Sequence, residues 1–340
     1  MARSTNMVIP EVVHFDGVRV FQEKIDVFNE ASGGAITLSY DPGYLDAMGG
    51  DYEKPVRFAR PSGLDAHQDE ADPTTADTPA TFAQAKGAEV LQTRRAYGKW
   101  TRDEVTRGIA NGADWTTAIT GFIADYKLEA LRNNLLASGV AAIDSMDTPS
   151  ANYHVVDGTL GKVTGAKVKF TFARMSTLLN KMGDARQNIK TLVFHSSVLA
   201  DLITDGLANY VVDTVAGAMI IKDAPFAMGR RIMVIDSSKL YTELDSDYYT
   251  QYNVLGLAEG ALNATIVKED APIEKVETDK KVTYWTLRQD YDVKFSVQGM
   301  KWVVGTINPT DAELATAASW DEDLSDHREC GIVKGIYNAT

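Results

Sequence analysis

One continuous helical pattern constrains the fold of this 340-residue chain more than any other feature. From Trp115 onward, apolar residues recur at spacings of three and four, and the pattern runs on to about Ile143. Asp114 stands where a helix N-cap is expected. At 1.5 Å per residue such a helix is roughly 40 Å long, which is unusual in a compact enzyme and typical of a structural spine. The apolar positions that begin the pattern are Trp115, Ile119, Phe122, Ile123, Tyr126 and Ala130.

Composition and charge exclude several classes of protein. Hydrophobic residues make up 44% and charged residues 24% of the chain, as in a soluble globular protein. A single cysteine, Cys330, excludes an internal disulfide. The net charge of −13 repels nucleic acid on average, and no basic run offsets it, so sequence-specific DNA binding is not expected. The N-terminal sequence does not resemble a secretion signal, and no apolar run reaches the roughly 18 residues of a membrane helix.

A polar segment framed by two strand patterns precedes the long helix. Residues 54–66 and 88–100 both alternate like strands, whereas residues 67–87 are rich in Asp, Thr, Ala and Pro. The pattern predicts a long two-stranded excursion with an irregular tip. Because an isolated hairpin is marginally stable in water, it is expected to lie on its own chain or on a neighbour. A disordered surface loop is the alternative.

The remaining patterns predict further helices and strands that do not strictly alternate. Residues 18–31 predict a short helix with Val20, Ile25, Val27 and Phe28 near one side, and residues 32–53 are rich in turns. Further helices are predicted at 172–188 and 196–206, and strands at 191–195, 210–221, 230–238 and through most of 252–304, before a capped helical turn near 310. Helices and strands are segregated, so the fold class is α+β.

His195 followed by Ser196 and Ser197 is the strongest catalytic candidate. An α/β-hydrolase would place its serine in a G-x-S-x-G turn, and no glycine flanks either serine here. A serine that caps the following helix explains the stretch better. An α+β hydrolase using His195 with Ser196 or Ser197 stays as the alternative from another functional class.

Other candidate sites are weaker. Cys330 and His327 lie three residues apart but lack a third, orienting group. Residues 321–326 resemble the start of a calcium loop, yet the loop's glycine and its twelfth-position glutamate are missing. Zinc-protease, phosphate-loop and dinucleotide motifs are absent from the sequence. We therefore expect no enzymatic activity, no cofactor and no metal.

The order of these segments resembles the major capsid proteins of tailed bacteriophages with the Hong-Kong-97 fold. That family has an N-terminal arm, an extended loop called the E-loop, a P-domain with a spine helix, and an A-domain. Residues 191–213 are similar to the family's A-domain strand, turn and helix, and 215–237 to its next two strands. Residues 282–302 resemble the returning P-domain strands, and 308–321 a closing segment found in one branch.

The resemblance implies a division of the chain into six parts. These are an N-terminal arm at 1–36, the E-loop and flanking strands at 37–101, the P-domain spine helix at 102–150, a mainly A-domain region at 151–250, returning P-domain strands at 251–305, and a C-terminal A-domain segment at 306–340. It also implies a structural subunit that assembles with itself into hexamers and pentamers of an icosahedral head enclosing double-stranded DNA. An encapsulin-like nanocompartment shell is the alternative within the fold.

The resemblance further implies contacts between subunits. The E-loop would lie across a neighbour and bury apolar residues that a lone hairpin cannot bury. The residues expected in this contact are Val56, Phe58, Val90, Leu91 and Tyr97. Partners would include a portal protein and in some systems a decoration protein. Because the arm begins near Met1, the resemblance also implies either a separate scaffolding protein or none. DNA would be held non-specifically, and assembly would take place in the host cytoplasm before the protein reaches the virion.

Overall fold

The computed structural model describes most of the chain. The described residues are 10–42, 56–58, 84–86, 90–104, 107, 115–147, 150–157, 168–204, 211–215, 218–222, 229–243, 250–271, 273–279, 282–306, 308–324 and 329–338. The helices are α1 (Pro10–Ser32), α2 (Trp115–Asp144), α3 (Ala151–His154), α4 (Phe172–Asn180), α5 (Ser196–Thr204) and α6 (Asp311–Leu314).

Seventeen strands among these residues form two larger sheets and two strand pairs. They are β1 (Ile36–Tyr40), β2 (Val56–Phe58), β3 (Gln84–Lys86), β4 (Val90–Thr101), β5 (Val155–Asp157), β6 (Ile189–Phe194), β7 (Val211–Val215), β8 (Ala218–Lys222), β9 (Arg231–Val234), β10 (Tyr241–Thr242), β11 (Gln251–Ala258), β12 (Leu262–Glu269), β13 (Ile273–Asp279), β14 (Val282–Val297), β15 (Met300–Trp302), β16 (Trp320–Glu322) and β17 (Ile332–Tyr337).

The five-stranded sheet is organised around β14, its longest strand. β12 and β13 pair antiparallel with successive parts of one edge of β14, while β4 pairs along the other edge. β1 adds to β12 in parallel, with Ile36 opposite Leu262. The β13–β14–β4 part of this sheet, here called the extension, therefore continues beyond the strands β1 and β12.

Two helices cover one face of the five-stranded sheet. Phe21, Ile25 and Phe28 of α1 are buried together with Leu128 and Leu135 of α2 in the largest apolar cluster. These positions recur every three or four residues, which places them on one side of each helix. The spine helix predicted from the sequence is thus confirmed over Trp115–Asp144 and forms the centre of this layer.

The eight-stranded sheet forms the second layer. Its strand order is β5-β17-β11-β6-β9-β8-β7, with β10 on β11. Met175 and Leu178 of α4 and Val198 and Leu202 of α5 are buried in the apolar cluster that includes this sheet. The C-terminal strand β17 lies between β5 and β11, so the last part of the chain completes this sheet.

The α+β class is confirmed, but several element boundaries differ from the predictions. β1 was expected to be a turn-rich segment; its partner β12 lies more than 200 residues along the chain and could not be seen locally. The predicted strand at 210–221 is a hairpin, with Val215 of β7 opposite Ala218 of β8. The predicted helix at 172–188 ends at Asn180, and a 3₁₀ helix follows from Gly183, whose φ is +56°.

Three apolar helix positions are exposed against expectation. Val27 of α1 and Phe122 and Tyr126 of α2 point to solvent in the single chain. The buried side chains of α2 include aliphatic residues such as Leu128 and Leu135 and the polar residues Lys127, Arg132 and Asn134, whereas the two aromatic side chains remain outside. Asp114, the expected N-cap of α2, lies outside the described residues.

Candidate subunit interface

Strand β4 places its side chains alternately on the two faces of the sheet. Val90, Gln92 and Ala96 are buried on the side of α2, and Trp100 packs beside Ile119 of that helix. Because side chains alternate along a strand, Leu91, Thr93, Arg95, Tyr97 and Lys99 lie on the opposite side of the sheet. We call this second side of the sheet, along β4, β14 and β13, the outer face.

A polar junction holds the start of β4 against the spine helix and the C-terminal region. The Arg94 guanidinium donates to Asp311 Oδ1 at 2.7 Å and to the Pro309 carbonyl at 2.9 Å. Gln92 Nε2 donates to the same two groups, each at 2.9 Å, and Asn134 Nδ2 of α2 donates to Asp311 Oδ1 at 3.0 Å. Three elements distant in sequence are thereby fixed at one point.

The helix that carries Asp311 is itself well capped. The Thr310 hydroxyl accepts from Glu313 N, and Glu313 reaches back to the Thr310 backbone, which forms a capping box. These hydrogen bonds from Thr310 lower the pKa of Glu313. The capped turn predicted near 310 is confirmed, and it presents Asp311 to Arg94.

A second charged group stabilises the outer face. Asp290 of β14 accepts hydrogen bonds from Arg288 on its own strand and from Arg95 across the strand pair, the latter at 2.8 Å. The Arg288 guanidinium and then Arg95 hold the pKa of Asp290 far below its usual range. These three side chains together carry a net charge of +1, in a chain whose net charge is −13.

Two apolar side chains are exposed on either side of Arg288. Tyr97 is 53% exposed and Ile273 is 61% exposed, and both are paired with Arg288 in the strand registers of the extension. Exposed residues of this size in one row form a surface that water solvates poorly. The outer face therefore combines aromatic, aliphatic and cationic side chains.

The five residues predicted at a subunit contact fall into different environments. Val90 is only 2% exposed, opposite Phe295 in the core of its own chain, so its burial requires no neighbour. Leu91 is half-buried and Tyr97 is exposed, both on the outer face. Val56 and Phe58 lie in β2, opposite Lys86 and Gln84 of β3. The structure describes only the backbone of these two residues, and residues 59–83 lie outside the described part of the chain.

A buried ion pair that the sequence did not reveal lies between α2 and the five-stranded sheet. Lys127 Nζ contacts the Glu269 carboxylate and donates to Gln289 Oε1 at 2.8 Å. Burial lowers the pKa of Lys127, and the charge of Glu269 offsets this only in part. Burial, together with Glu269, also raises the pKa of the nearby Tyr40. The pair joins the spine helix to the point where β12 ends and the extension begins.

The catalytic candidate proves to be a helix cap. Helix α5 begins at Ser196, and the His195 carbonyl accepts from Val198 N at 3.0 Å. Ser197 N donates to His195 Nδ1 at 3.2 Å, and Ser196 N donates to Asp236 Oδ1 at 3.0 Å. The prediction that a serine side chain is the cap was wrong, because the imidazole and a carboxylate from another element accept these donors.

His195, Ser197 and Asp236 do approach one another, but the geometry is that of the cap. Ser197 Oγ lies 3.2 Å from the same Nδ1 that already accepts the Ser197 backbone N–H. Partial burial raises the pKa of Asp236, but hydrogen bonds from Ser196 outweigh this and lower it. The imidazole also packs against the rings of Tyr241 and Tyr252. A lone pair engaged in capping is poorly placed to take a proton from the serine.

The described residues do not place the other candidate residues, Cys330 and His327, in a catalytic or metal-binding site. Cys330 is buried, and burial raises its thiol pKa to about 12, so the thiol stays protonated. His327 lies outside the described residues. Among described residues, no group of three or more His, Cys, Asp or Glu side chains could hold a metal ion, and no helix is long and apolar enough to cross a membrane.

A comparison with protein families identifies the family of this chain. A sequence model of the Gp13-like family, described as major capsid protein 13-like, matches residues 8–333. The major capsid protein of Bacillus phage SPP1 is 26% identical over 231 residues; the match spans 66% of this chain and 65% of the SPP1 protein, slightly less than two thirds of that relative.

Solved phage capsids are also similar. The cyanophage Pam1 capsid has a TM-score of 0.49 and 12% identity, covering 89% of each chain. The capsid of Ralstonia phage GP4 has a TM-score of 0.47 and 9% identity, covering 90% of this chain and 87% of that one. Because the family model extends over nearly the whole sequence, this chain belongs as a whole to the Gp13-like family of major capsid proteins.

Proposed function

We propose that this protein is the structural subunit of a phage head, and that hexamers and pentamers of it close into an icosahedral shell around double-stranded DNA. The observation that carries the proposal is the family match over residues 8–333. A closed symmetric shell repeats each contact many times, so modest contacts are sufficient for stability.

The geometry of β4 supports the proposed role of the E-loop. The junction at Arg94 and Asp311 holds the start of β4 against its own chain, while the outer face of β4 presents Leu91 and Tyr97. In our proposal a neighbouring subunit covers these two side chains, together with Val56 and Phe58 of the β2–β3 pair. Val90 would support this contact indirectly, because its buried side chain fixes β4 to the apolar core of its own subunit.

The subunit acts without chemistry of its own in this proposal. The arrangement at His195 serves the start of α5, and the buried Cys330 thiol is protonated at physiological pH. We therefore propose no enzymatic activity, no cofactor and no metal. The proposed partners are portal, scaffolding and decoration proteins. The packaged DNA would be contacted only non-specifically, and assembly would take place in the host cytoplasm. The six-part division of the chain given above is proposed on the same basis.

The deciding experiment measures the size, shape and contents of the purified protein. Sedimentation and negative-stain electron microscopy should show rings or shells, alone or with a co-expressed scaffolding protein. A subunit that stays monomeric at high concentration in both conditions would refute the proposal. Particles purified from infected cells should contain phage DNA, whereas particles that contain a protein cargo and no DNA would identify a nanocompartment.

A further inference from the structure

Strand β13 is an edge strand with apolar residues exposed on both of its faces. Among the described strands it pairs with β14 alone. Ile273 on the outer face is 61% exposed, and Val276 on the face toward α2 is 56% exposed. An edge with free backbone groups and exposed apolar side chains is a template for pairing with another strand.

An apolar row of the extension ends at this edge. Trp100 of β4 is opposite Trp285 of β14, and Trp285 is opposite Val276 of β13. The two tryptophans pack with Ile119 of the spine helix, whereas Val276 is the exposed last member of the row. A second strand that places an apolar residue beside Val276 would continue the row.

The sequence of β13 is complementary to itself in one antiparallel register. It reads Ile-Glu-Lys-Val-Glu-Thr-Asp, and a two-fold axis at Val276 brings Val276 opposite its own copy. The same axis brings Lys275 opposite Glu277 twice. Opposite charges directly across a strand pair stabilise it, and like charges destabilise it.

The other two-fold registers centred inside β13 are unfavourable. Paired residues share a face, so each allowed register places one residue opposite itself. Centring on Glu274, Lys275 or Glu277 opposes two like charges, and centring on Thr278 opposes Glu277 to Asp279. The register centred on Val276 avoids all of these pairs.

We propose that β13 pairs antiparallel with β13 of a second copy of this chain, with Val276 on the two-fold axis. The contact is isologous, and it joins two five-stranded sheets through their extensions. Its apolar centre is the continued row Trp100–Trp285–Val276 and its copy. The proposal rests on the proposed function, because the shell is what brings two copies together.

A disulfide tests the register directly. Directly opposed residues in an antiparallel pair have Cα atoms about 4.5–5.5 Å apart, within the span of a disulfide. Under mild oxidation, assembled V276C should give a band at twice the 37.1 kDa monomer mass on a non-reducing gel. Ile273→Cys is the matched control: it is as exposed as Val276, but its copy would lie roughly 20 Å away. The native Cys330 is buried.

A charge exchange tests the complementarity. Lys275→Glu and Glu277→Lys each replace two favourable pairs with two repulsive ones, and each should weaken association about tenfold. The double variant K275E/E277K restores opposite charges in the same register and should assemble like the wild type. A double variant as defective as the two single variants would overturn the proposed pairing.

The outcomes separate this proposal from the proposed function. Intact shells in which V276C cross-links no better than I273C would refute the strand pairing and leave the capsid role standing. If the wild type forms no shells, the capsid role fails. The same gel on concentrated free subunits then decides the pairing, since a V276C dimer there supports it and its absence refutes it.

Discussion

The buried pair Lys127–Glu269 leads to the most demanding prediction about stability. Their side chains are 4% and 2% exposed, so neither charge is hydrated in the folded chain. Lys127→Met should leave the Glu269 carboxylate buried without its cation. Removing one partner of a buried pair typically costs about 3–5 kcal/mol, and we expect a loss in that range in the free energy of unfolding.

Replacing both partners should recover most of this loss. In K127M/E269L two apolar side chains of similar volume take the place of the pair, a change that is often neutral or stabilising. Gln289 Oε1 would still lose its donor, and a buried acceptor without a partner costs about 1–3 kcal/mol. The double variant should therefore lie between the single variant and the wild type.

The assay is urea unfolding of the unassembled subunit, followed by circular dichroism, with a matched exposed pair as the control. Lys24 of α1 pairs with Asp125 of α2 at the surface, so Lys24→Met should cost less than about 1 kcal/mol. Two results would contradict the effect of burial on this pair. One is a loss of unfolding free energy for Lys127→Met no larger than for Lys24→Met, and the other is a double variant that is less stable than Lys127→Met.

Four further predictions concern assembly, capping and acid. Deleting 60–85 should leave a folded subunit that fails to form normal shells, and intact shells from it in the electron microscope would contradict the E-loop proposal. Tyr97→Ala should reduce shell yield with little change in unfolding free energy, whereas Val90→Ala should cost about 1–3 kcal/mol in the unassembled subunit, because only Val90 is buried there. His195→Ala should cost about 1 kcal/mol through the lost cap and abolish no hydrolase activity; a reproducible esterase rate lost in this variant would contradict the structural role. The pKa of Asp290 in the folded chain lies below its unfolded value of about 3.8, so the stabilisation by its carboxylate is present above that pH and is lost as the pH falls below it. Asp290→Asn should therefore make the free energy of unfolding less dependent on pH in the acid range. An unchanged pH dependence would show that Asp290 does not contribute.

Much of the candidate interface could be predicted from local patterns. The alternation along β4 predicted a strand, and that strand is confirmed over Val90–Thr101. The same alternation places Val90 and Leu91 on opposite faces, so both could not face a neighbour through one surface. Which of the two is inside depends on α2, which covers only one face of the sheet.

The polar contacts could not be predicted in this way. Arg94 and Asp311 are more than 200 residues apart, and Lys127 reads as an ordinary helix residue until Glu269 is seen beside it. The His195 cap depends on Asp236, which follows β9, the strand paired with β6 in the sheet. Each of these groups is explained only by a partner that folding brings close.

The sequence by itself determined the periodic features of this protein: the long spine helix, the strand alternation, the α+β class, and the order of segments that resembles a phage capsid subunit. These features depend on residues within a few positions of one another, because the helix and strand periods are local. The tertiary structure decided which face of each element is buried, that β1 pairs with a distant strand, and where charges are neutralised. Those outcomes depend on free energies of burial and pairing, which only exist once distant segments of the chain are in contact.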